Sequence, residues 1–328
     1  MIKTCIHSFI EQQEEPFHGN IVVSRKGQID HRESLGFAER QTKEPNTSSH
    51  VFRIGSVTKT LTAMAILRLK DSCGLSLSDC LSTYVPAFPN GGRITIGHLL
   101  NHMSGIGNVT AQPDFLAKSI QYRNPDELVQ WIASLPIESR PGETFAYNNS
   151  GYILLGKVIE VCTGMEYGTF MDQCLFKPLN MNNTGLECSG VAVEGMATGY
   201  ELSADRTMKP AAYIDMSNSF SAGALFSTVD DLFSLNRALE VKSLLKEETH
   251  EWLFEKQEQL PYKAGWFKAS TEAGSDLFFH HGGINGFTSS LMRLPRKEIA
   301  VIALSNASSL LTSTMAAAVI DYMDRSYE

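Results

Sequence analysis

The chain has 328 residues, of which 43% are hydrophobic, enough to bury a substantial core in one composite domain or two small ones. Its 28 Lys+Arg against 36 Asp+Glu leave a formal net charge of −8 with no dense basic run, which excludes a phosphate-backbone footprint and so nucleic acid as a partner. No apolar run reaches the length of a membrane span, so no transmembrane segment is expected.

The opening stretch, residues 1–16, carries one lysine and no apolar run before an acidic segment, so it does not read as a secretory signal. Six cysteines (Cys5, Cys73, Cys80, Cys162, Cys174, Cys188) are scattered without a Cys-x-x-Cys pair. They are expected to be reduced packing residues of a cytoplasmic protein, although a chain trimmed of a leader for an extracytoplasmic site would begin in the same way.

Residues 20–38 hold two apolar-alternating runs around Ser24-Arg25-Lys26-Gly27, the pattern of a hairpin whose glycine supplies the positive φ of a tight turn. Next comes Ser56-Val57-Thr58-Lys59, a hydroxyl and an amine three residues apart, which a helix would bring onto one face. Serine needs a neighbour to take its proton, and a lysine can do so where desolvation lowers its pKa. Leu61, Met64, Ala65 and Leu69 supply the apolar face that would bury such a helix. Ser243-Leu244-Leu245-Lys246 has the same spacing but sits among charges, and is expected to be solvated surface.

Helical punctuation fills the middle of the chain. Asn124-Pro125-Asp126-Glu127 reads as an N-cap, a proline at the first helical position and a capping acid. Residues 150–162 are helical with Gly164 at the C-terminal cap position, 227–239 carry Asp230 and Asp231 in a first turn, and 310–327 form a closing helix.

Two further elements bring chemistry. In Tyr147-Asn148-Asn149 a phenol near a lysine can pass a proton to a leaving group and a carboxamide can hold both a lysine and a substrate amide. Tyr122-Arg123-Asn124 repeats the spacing, but there Asn124 is already spent as a cap. His280-His281-Gly282-Gly283 lies between strand-like residues 277–279 and 287–294, with 299–304 as a further strand; glycines at a strand edge let a substrate approach and offer backbone N–H groups to an oxyanion. Lys263-Ala264-Gly265 is a lesser competitor. Taken alone, His280 and His281 read as a polar bend. Strand signals at both chain ends with helices between them imply an α/β part built from residues 1–60 and 200–328, a mainly helical part over 61–199, and a cleft at their interface.

Ser-x-x-Lys, then Tyr-x-Asn, then His-x-Gly, in that order, resembles the serine β-lactamase and penicillin-binding superfamily, in the branch related to class C β-lactamases, D-aminopeptidases and esterases. Residues 52–56, 99–105, Pro141-Gly142, 178–181, 197–200, 223–231 and Gly265-Trp266 look like landmarks of that branch, so the resemblance covers essentially the whole chain. It implies a β-lactamase/DD-peptidase-like fold, an antiparallel sheet flanked by helices with an inserted helical domain. It implies Ser56 as the acylated residue, Lys59 as its basic neighbour, Tyr147 in proton transfer, and Asn149, His280, Gly282 and Gly283 around the substrate. The oxyanion N–H groups would be those of Ser56 and Gly283. The implied partner is a small-molecule or peptide acyl donor: a β-lactam, a D-amino-acid peptide or amide, or an ester, with no cofactor.

Two departures bear on the donor. The β-lactamases proper have Lys where this chain has His280, so a positive charge there becomes conditional on pH. No Ser-Asp-Asn motif is present, which argues against class A. Two other readings compete. A metal hydrolase would use the i, i+4 pair His98 and His102, but it lacks the glutamate that follows the first histidine in a zinc protease, and His102 reads better as a buried, hydrogen-bonded residue at a helix end. A non-catalytic penicillin-binding sensor or interaction protein would keep the fold and the motifs without turnover.

Overall fold

The computed structural model describes residues 1–203, 207–254 and 261–327. Residues 204–206, 255–260 and 328, which fall within the expected α/β part, lie outside the described residues.

Among the described residues, seven strands make the main sheet: β1 (Gly19–Arg25), β2 (Gln28–Leu35), β3 (Tyr262–Lys263), β4 (Trp266–Ser270), β5 (Asp276–Ile284), β6 (Phe287–Leu294) and β7 (Ile299–Ser305). Their spatial order is β3-β4-β5-β6-β7-β1-β2, all antiparallel. The N-terminal hairpin therefore completes a sheet begun by the C-terminal third, with Gly19 paired to Ser305. Lys26 and Gly27 make its turn at φ 51° and 70°, as the residue pattern required.

Side chains alternate between the two faces of the sheet. Ile21, Val23, Met292, Leu294, Val301 and Ala303 pack with α1 (Ile2–Glu11) and the closing helix. Val22, Leu291, Ile302 and Leu304 join the larger core under the helices of the other side. With both faces covered, every residue of β7 is buried, and β7 reads as a continuous apolar run.

On the larger core's side lie α2 (Thr58–Cys73), α3 (Pro125–Ala133), α4 (Asn149–Thr163), α5 (Val229–Glu240) and α6 (Glu247–Phe254); α7 (Leu311–Ser326) closes the opposite face. The caps at Asn124 and Gly164 are those expected, while the helix expected over 227–239 starts at Val229. Asn124 Oδ1 accepts from the Glu127 N–H at 3.0 Å while Glu127 returns a carboxylate to the Asn124 N–H, Gly164 ends α4 at φ 68°, and Thr228 caps α5. All six cysteines are free, and among the described residues no helix is long and apolar enough to cross a membrane.

The structure corrects one expectation and adds elements not expected from the sequence. Strand β5 runs unbroken through His280, His281, Gly282 and Gly283, so these residues are not a bend. Strands β3 and β4 were not legible, because two short runs turn on Ala264 and Gly265 at φ 41° and 91°. Helix α1 was also missed; its Ile6 is fully buried. A small sheet of Phe52–Arg53, Leu225–Ser227 and Gly185–Leu186 ties three distant segments together directly before Ser56.

Candidate active site

Ser56 lies in a single 3-10 turn, Gly55–Val57, that leads into α2. Thr58 to Leu67 are all buried, because α2 is wedged between the sheet and α4. Its threonines reach outward to fix it: Thr60 Oγ1 donates to the Gly265 carbonyl at 2.8 Å, and Thr62 Oγ1 to the Ser221 carbonyl at 2.7 Å. Each such bond to a buried carbonyl contributes about 1 kcal/mol. One turn past Ser56, Lys59 is fully buried, and its Nζ donates to Ser56 Oγ at 3.0 Å and to the Ala222 carbonyl at 2.8 Å. Its amine also faces the rings of Tyr147 and Tyr152, at 5.0 and 5.7 Å from their centroids. Desolvation penalises the ammonium and brings the Lys59 pKa down to about 7.

Tyr147 stands half-buried opposite this pair. Burial pushes its phenol well above the ordinary tyrosine value, and a hydrogen bond from Ser56 only partly offsets that. The ring is held by His102 (centroids 4.3 Å), by Phe267 stacked at 6.1 Å and by His280 at 6.2 Å. His102 also accepts the backbone N–H of Asn148 on Nδ1 at 3.1 Å. It is therefore the buried, hydrogen-bonded residue expected, and it supports the backbone next to Tyr147. The helical metal pair does not form, since the helix Ile96–Leu100 ends before His102, which takes φ 55°, and His98 Nδ1 caps that helix by accepting the Thr95 N–H at 3.2 Å. Among the described residues no cluster of three or more His, Cys, Asp or Glu could hold a metal.

Asn149 opens α4 beside the cavity. Its Nδ2 donates to Thr110 Oγ1 at 2.6 Å, so its carboxamide is oriented by Thr110 and not by Lys59.

On the third side runs β5. Strand β4 pairs with it only as far as Phe279, and beyond that point the Gly55–Val57 turn packs on its edge. The approach is close enough to require glycine: a Cβ on Gly282 would fall 2.0 Å from the Ile54 carbonyl, and one on Gly55, at φ 48°, would fall 2.9 Å from the Gly283 nitrogen. A Cβ on Gly283 would meet open space. The exposed end of β5 at Gly283 thus borders the cavity while its backbone lies beside the Ser56 turn.

His280 departs from expectation. It is 1% exposed, its Nδ1 bonds the His281 carbonyl at 2.7 Å, and Nε2 lies 3.4 Å from the Tyr262 hydroxyl. Desolvation, helped by the positive Lys59, drives its pKa down to about 3. It is a neutral imidazole packed behind Tyr147, and its charge does not vary over the physiological range.

The cavity above Ser56, about 160 Å³, is lined by Gly55, Ser56, Thr110, Phe115, Leu116, Asn149, Ile153, Ile214, Ser219, Ala222, Gly223, Gly283, Ile284 and Asn285. No charged side chain is among them. A larger surface pocket of about 890 Å³, bordered by Arg123, Tyr167 and Glu187, does not include Ser56. The competing motifs fall elsewhere. Ser243 and Lys246 are exposed, Tyr122 is 60% exposed, and Lys263 Nζ is bonded to the Trp252 carbonyl.

A match to the family described as Beta-lactamase spans residues 11–320. The chain belongs to that family. Within it, a protein designated PbpX from Bacillus subtilis (strain 168) is 31% identical over 281 residues, 84% of this chain and 67% of its own length; the chain spans about two thirds of the curated relatives it matches. Among solved structures, the octameric penicillin-binding protein homologue from Pyrococcus abyssi superposes with a TM-score of 0.86 at 25% identity, covering 99% of this chain and 77% of that one. The D-amino acid amidase from Ochrobactrum anthropi SV3 shares the fold at a TM-score of 0.87 and 22% identity, covering 100% of this chain and 99% of that one. The β-lactamase family and its penicillin-binding neighbours mark the chain as a hydrolase of the serine β-lactamase fold, with the α/β architecture and antiparallel sheet anticipated from its motifs.

Proposed function

We propose that the chain forms an acyl-enzyme on Ser56 from neutral ester or amide donors, in a cleft between the α/β part (residues 1–60 and 200–328) and the helical part (61–199). The observation that carries this reading is the buried Lys59 amine on Ser56 Oγ with no carboxylate among its hydrogen-bond partners. A lysine so placed is a base near neutral pH. Ser56 gives its proton to Nζ as Oγ attacks the acyl carbon, and the oxyanion forms against the N–H groups of Ser56 and Gly283. Tyr147, kept protonated by burial, gives a proton to the leaving oxygen or nitrogen as its bond to the acyl carbon breaks, and the proton on Lys59 restores the phenol. Water then takes the acyl group by the reverse relay. Asn149 borders the donor through its carboxamide, while Gly282 acts at one remove, its missing Cβ letting the Ile54 carbonyl and the Ser56 turn close on the strand edge.

The donor class follows from the lining. Phe115, Leu116, Ile153, Ile214 and Ile284 favour an apolar acyl group, and the cavity's volume of about 160 Å³ is close to the ~150 Å³ that holds a benzene ring. With no cation in the lining among the described residues and His280 neutral, a free carboxylate on the donor finds no charge partner there, which disfavours β-lactams and D-Ala-D-Ala peptides relative to esters and amides.

Intact-mass spectrometry after mixing with p-nitrophenyl butyrate and with a cephalosporin tests this. Acyl transfer from the ester, mapped to Ser56 and absent in Ser56→Ala, is the expected result. Labelling that survives Ser56→Ala would end the assignment, and faster labelling by the cephalosporin would end the substrate class.

A further inference from the structure

Away from the Ser56 cleft, a second cavity of about 550 Å³ opens between the sheet, the end of α5 and α6. None of its lining residues borders the cleft. At its wall stands Arg293, which pairs across β5 with Phe278 and is 2% exposed. Its Nε and Nη1 are buried with no hydrogen-bond partner. Its guanidinium carbon lies 4.7 Å from the Phe254 ring centroid and 5.7 Å from that of Trp266. The same cavity is lined by Glu240. Asn236 Nδ2 satisfies Glu240 Oε1 at 2.7 Å, but Oε2 is buried without a partner. Attraction between Arg293 and Glu240 is felt across the space, yet no ion pair joins them. Desolvation lowers the Arg293 pKa only to about 10, so the guanidinium stays charged at neutral pH.

Arg293 is buried and Glu240 half-buried on one cavity, and because they do not pair directly, the hydration that the guanidinium and Glu240 Oε2 give up is not recovered from each other. Lys242 and His250 also line the cavity but are engaged in contacts of their own, His250 Nε2 with the Leu239 carbonyl at 3.0 Å among them, so a lone anion would satisfy Arg293 but face Glu240. A lone cation would meet the reverse. A small molecule carrying a carboxylate and an ammonium on one carbon satisfies both, the carboxylate on the planar fork of the guanidinium and the ammonium on the free carboxylate oxygen. Leu239, Phe254 and Phe278 offer an apolar wall for its side chain. Arg296, exposed at the mouth, draws in the carboxylate end. Asp276 at the rim is already paired with Lys268 at 3.1 Å.

We propose that this cavity binds a free α-amino acid as a zwitterion, bridging Arg293 and Glu240. The site is independent of acyl transfer at Ser56.

Calorimetric titration with phenylalanine, both enantiomers, tests it on the full chain, beside acetate alone and phenethylamine alone. The expected result is saturable binding of at least one enantiomer, at least about ten-fold tighter than either half-ligand. It should weaken about ten-fold or more in both Glu240→Gln and Arg293→Met while hydrolysis of a neutral ester by these variants is unchanged. Hydrogen exchange on the wild-type protein gives a reading that does not depend on the variants folding: phenylalanine should slow exchange in Glu247–Phe254 and at Asp276–Phe278. Binding that persists in both variants, binding matched by acetate or phenethylamine, protection confined to the Ser56 cleft, or no saturable binding up to ~20 mM would each overturn the proposal.

Discussion

Lys59 Nζ lies 3.0 Å from Ser56 Oγ and spends its other hydrogen bond on a backbone carbonyl, that of Ala222, not on a carboxylate. A carboxylate there would hold the ammonium charged, whereas burial against a neutral carbonyl brings its pKa to about 7. The acylation rate with a neutral ester should therefore rise with pH through about 7 and level off above it. Stopped-flow acylation across pH 5 to 9 checks this, and a flat profile would remove Lys59 as the base.

The same burial has a cost in stability. The unfolded chain holds the Lys59 proton up to its ordinary pKa near ~10.4, while the folded chain releases it at about 7. Between these values the unfolded state binds more protons, so the stability contribution of this group improves as pH rises from about 7 and is poorest below it. Lys59→Met keeps the volume and removes the charge. It should abolish acylation yet raise Tm at pH 6 relative to the parent, with the gain shrinking by pH 9; thermal denaturation at the two pH values gives the comparison.

Tyr147 is held by rings on several sides, and its phenol is kept protonated by burial. Tyr147→Phe leaves those ring contacts intact while removing the proton donor. The expected loss is ~10²–10⁴-fold in kcat with little change in KM, more severe for an amide than for an activated ester, whose leaving group departs unaided. Equal losses on both substrates would show that the hydroxyl does not serve the leaving group.

Ser243 repeats the spacing of Ser56 to Lys59 but is exposed, and its hydroxyl donates to the Ala238 carbonyl at 3.3 Å. Ser243→Ala should leave acylation and Tm within error of the parent, and a lost acyl adduct in the mass spectrum would transfer the role away from Ser56.

What was legible in the residues was local. The Asn124 cap, the Lys26-Gly27 turn and the Ser56/Lys59 spacing depend on neighbours within four positions, and each formed as expected. The order of the three motifs added the family and its sheet. What stayed hidden depends on distant partners. The carbonyl that holds Lys59 belongs to Ala222, and a backbone atom leaves no mark in residue type. The grip of Thr110 on Asn149 crosses 39 positions. Strands β3 and β4 are too short to show a period, and they are strands because β5 is there to pair with them. His280 had a legible position but not a legible environment, since its burial is set by Tyr147, Tyr262 and Phe267 arriving from elsewhere in the chain.

That environment reverses the pH behaviour a histidine at this position suggests. An exposed imidazole would become cationic as pH falls through ~6.5 and would then recruit carboxylate-bearing donors. His280 is instead depressed to about 3, first by desolvation and then by the positive Lys59, so it stays neutral throughout pH 5 to 8. The ratio of kcat/KM for a cephalosporin to that for a neutral ester should be flat over this range. His280→Lys would place an ammonium where Tyr262, Phe267 and Tyr147 leave it no water, and it has to compete with Lys59 for the same low-dielectric space. It should lower Tm by several degrees, consistent with ~1–3 kcal/mol for an unpaired buried polar group, without bringing the cephalosporin up to the ester. His280→Asn, which adds no charge to the site, should keep the flat ratio. A wild-type ratio that climbs as pH falls would mean that the imidazole reaches the cleft and titrates there, and the neutral-donor preference would fall with it.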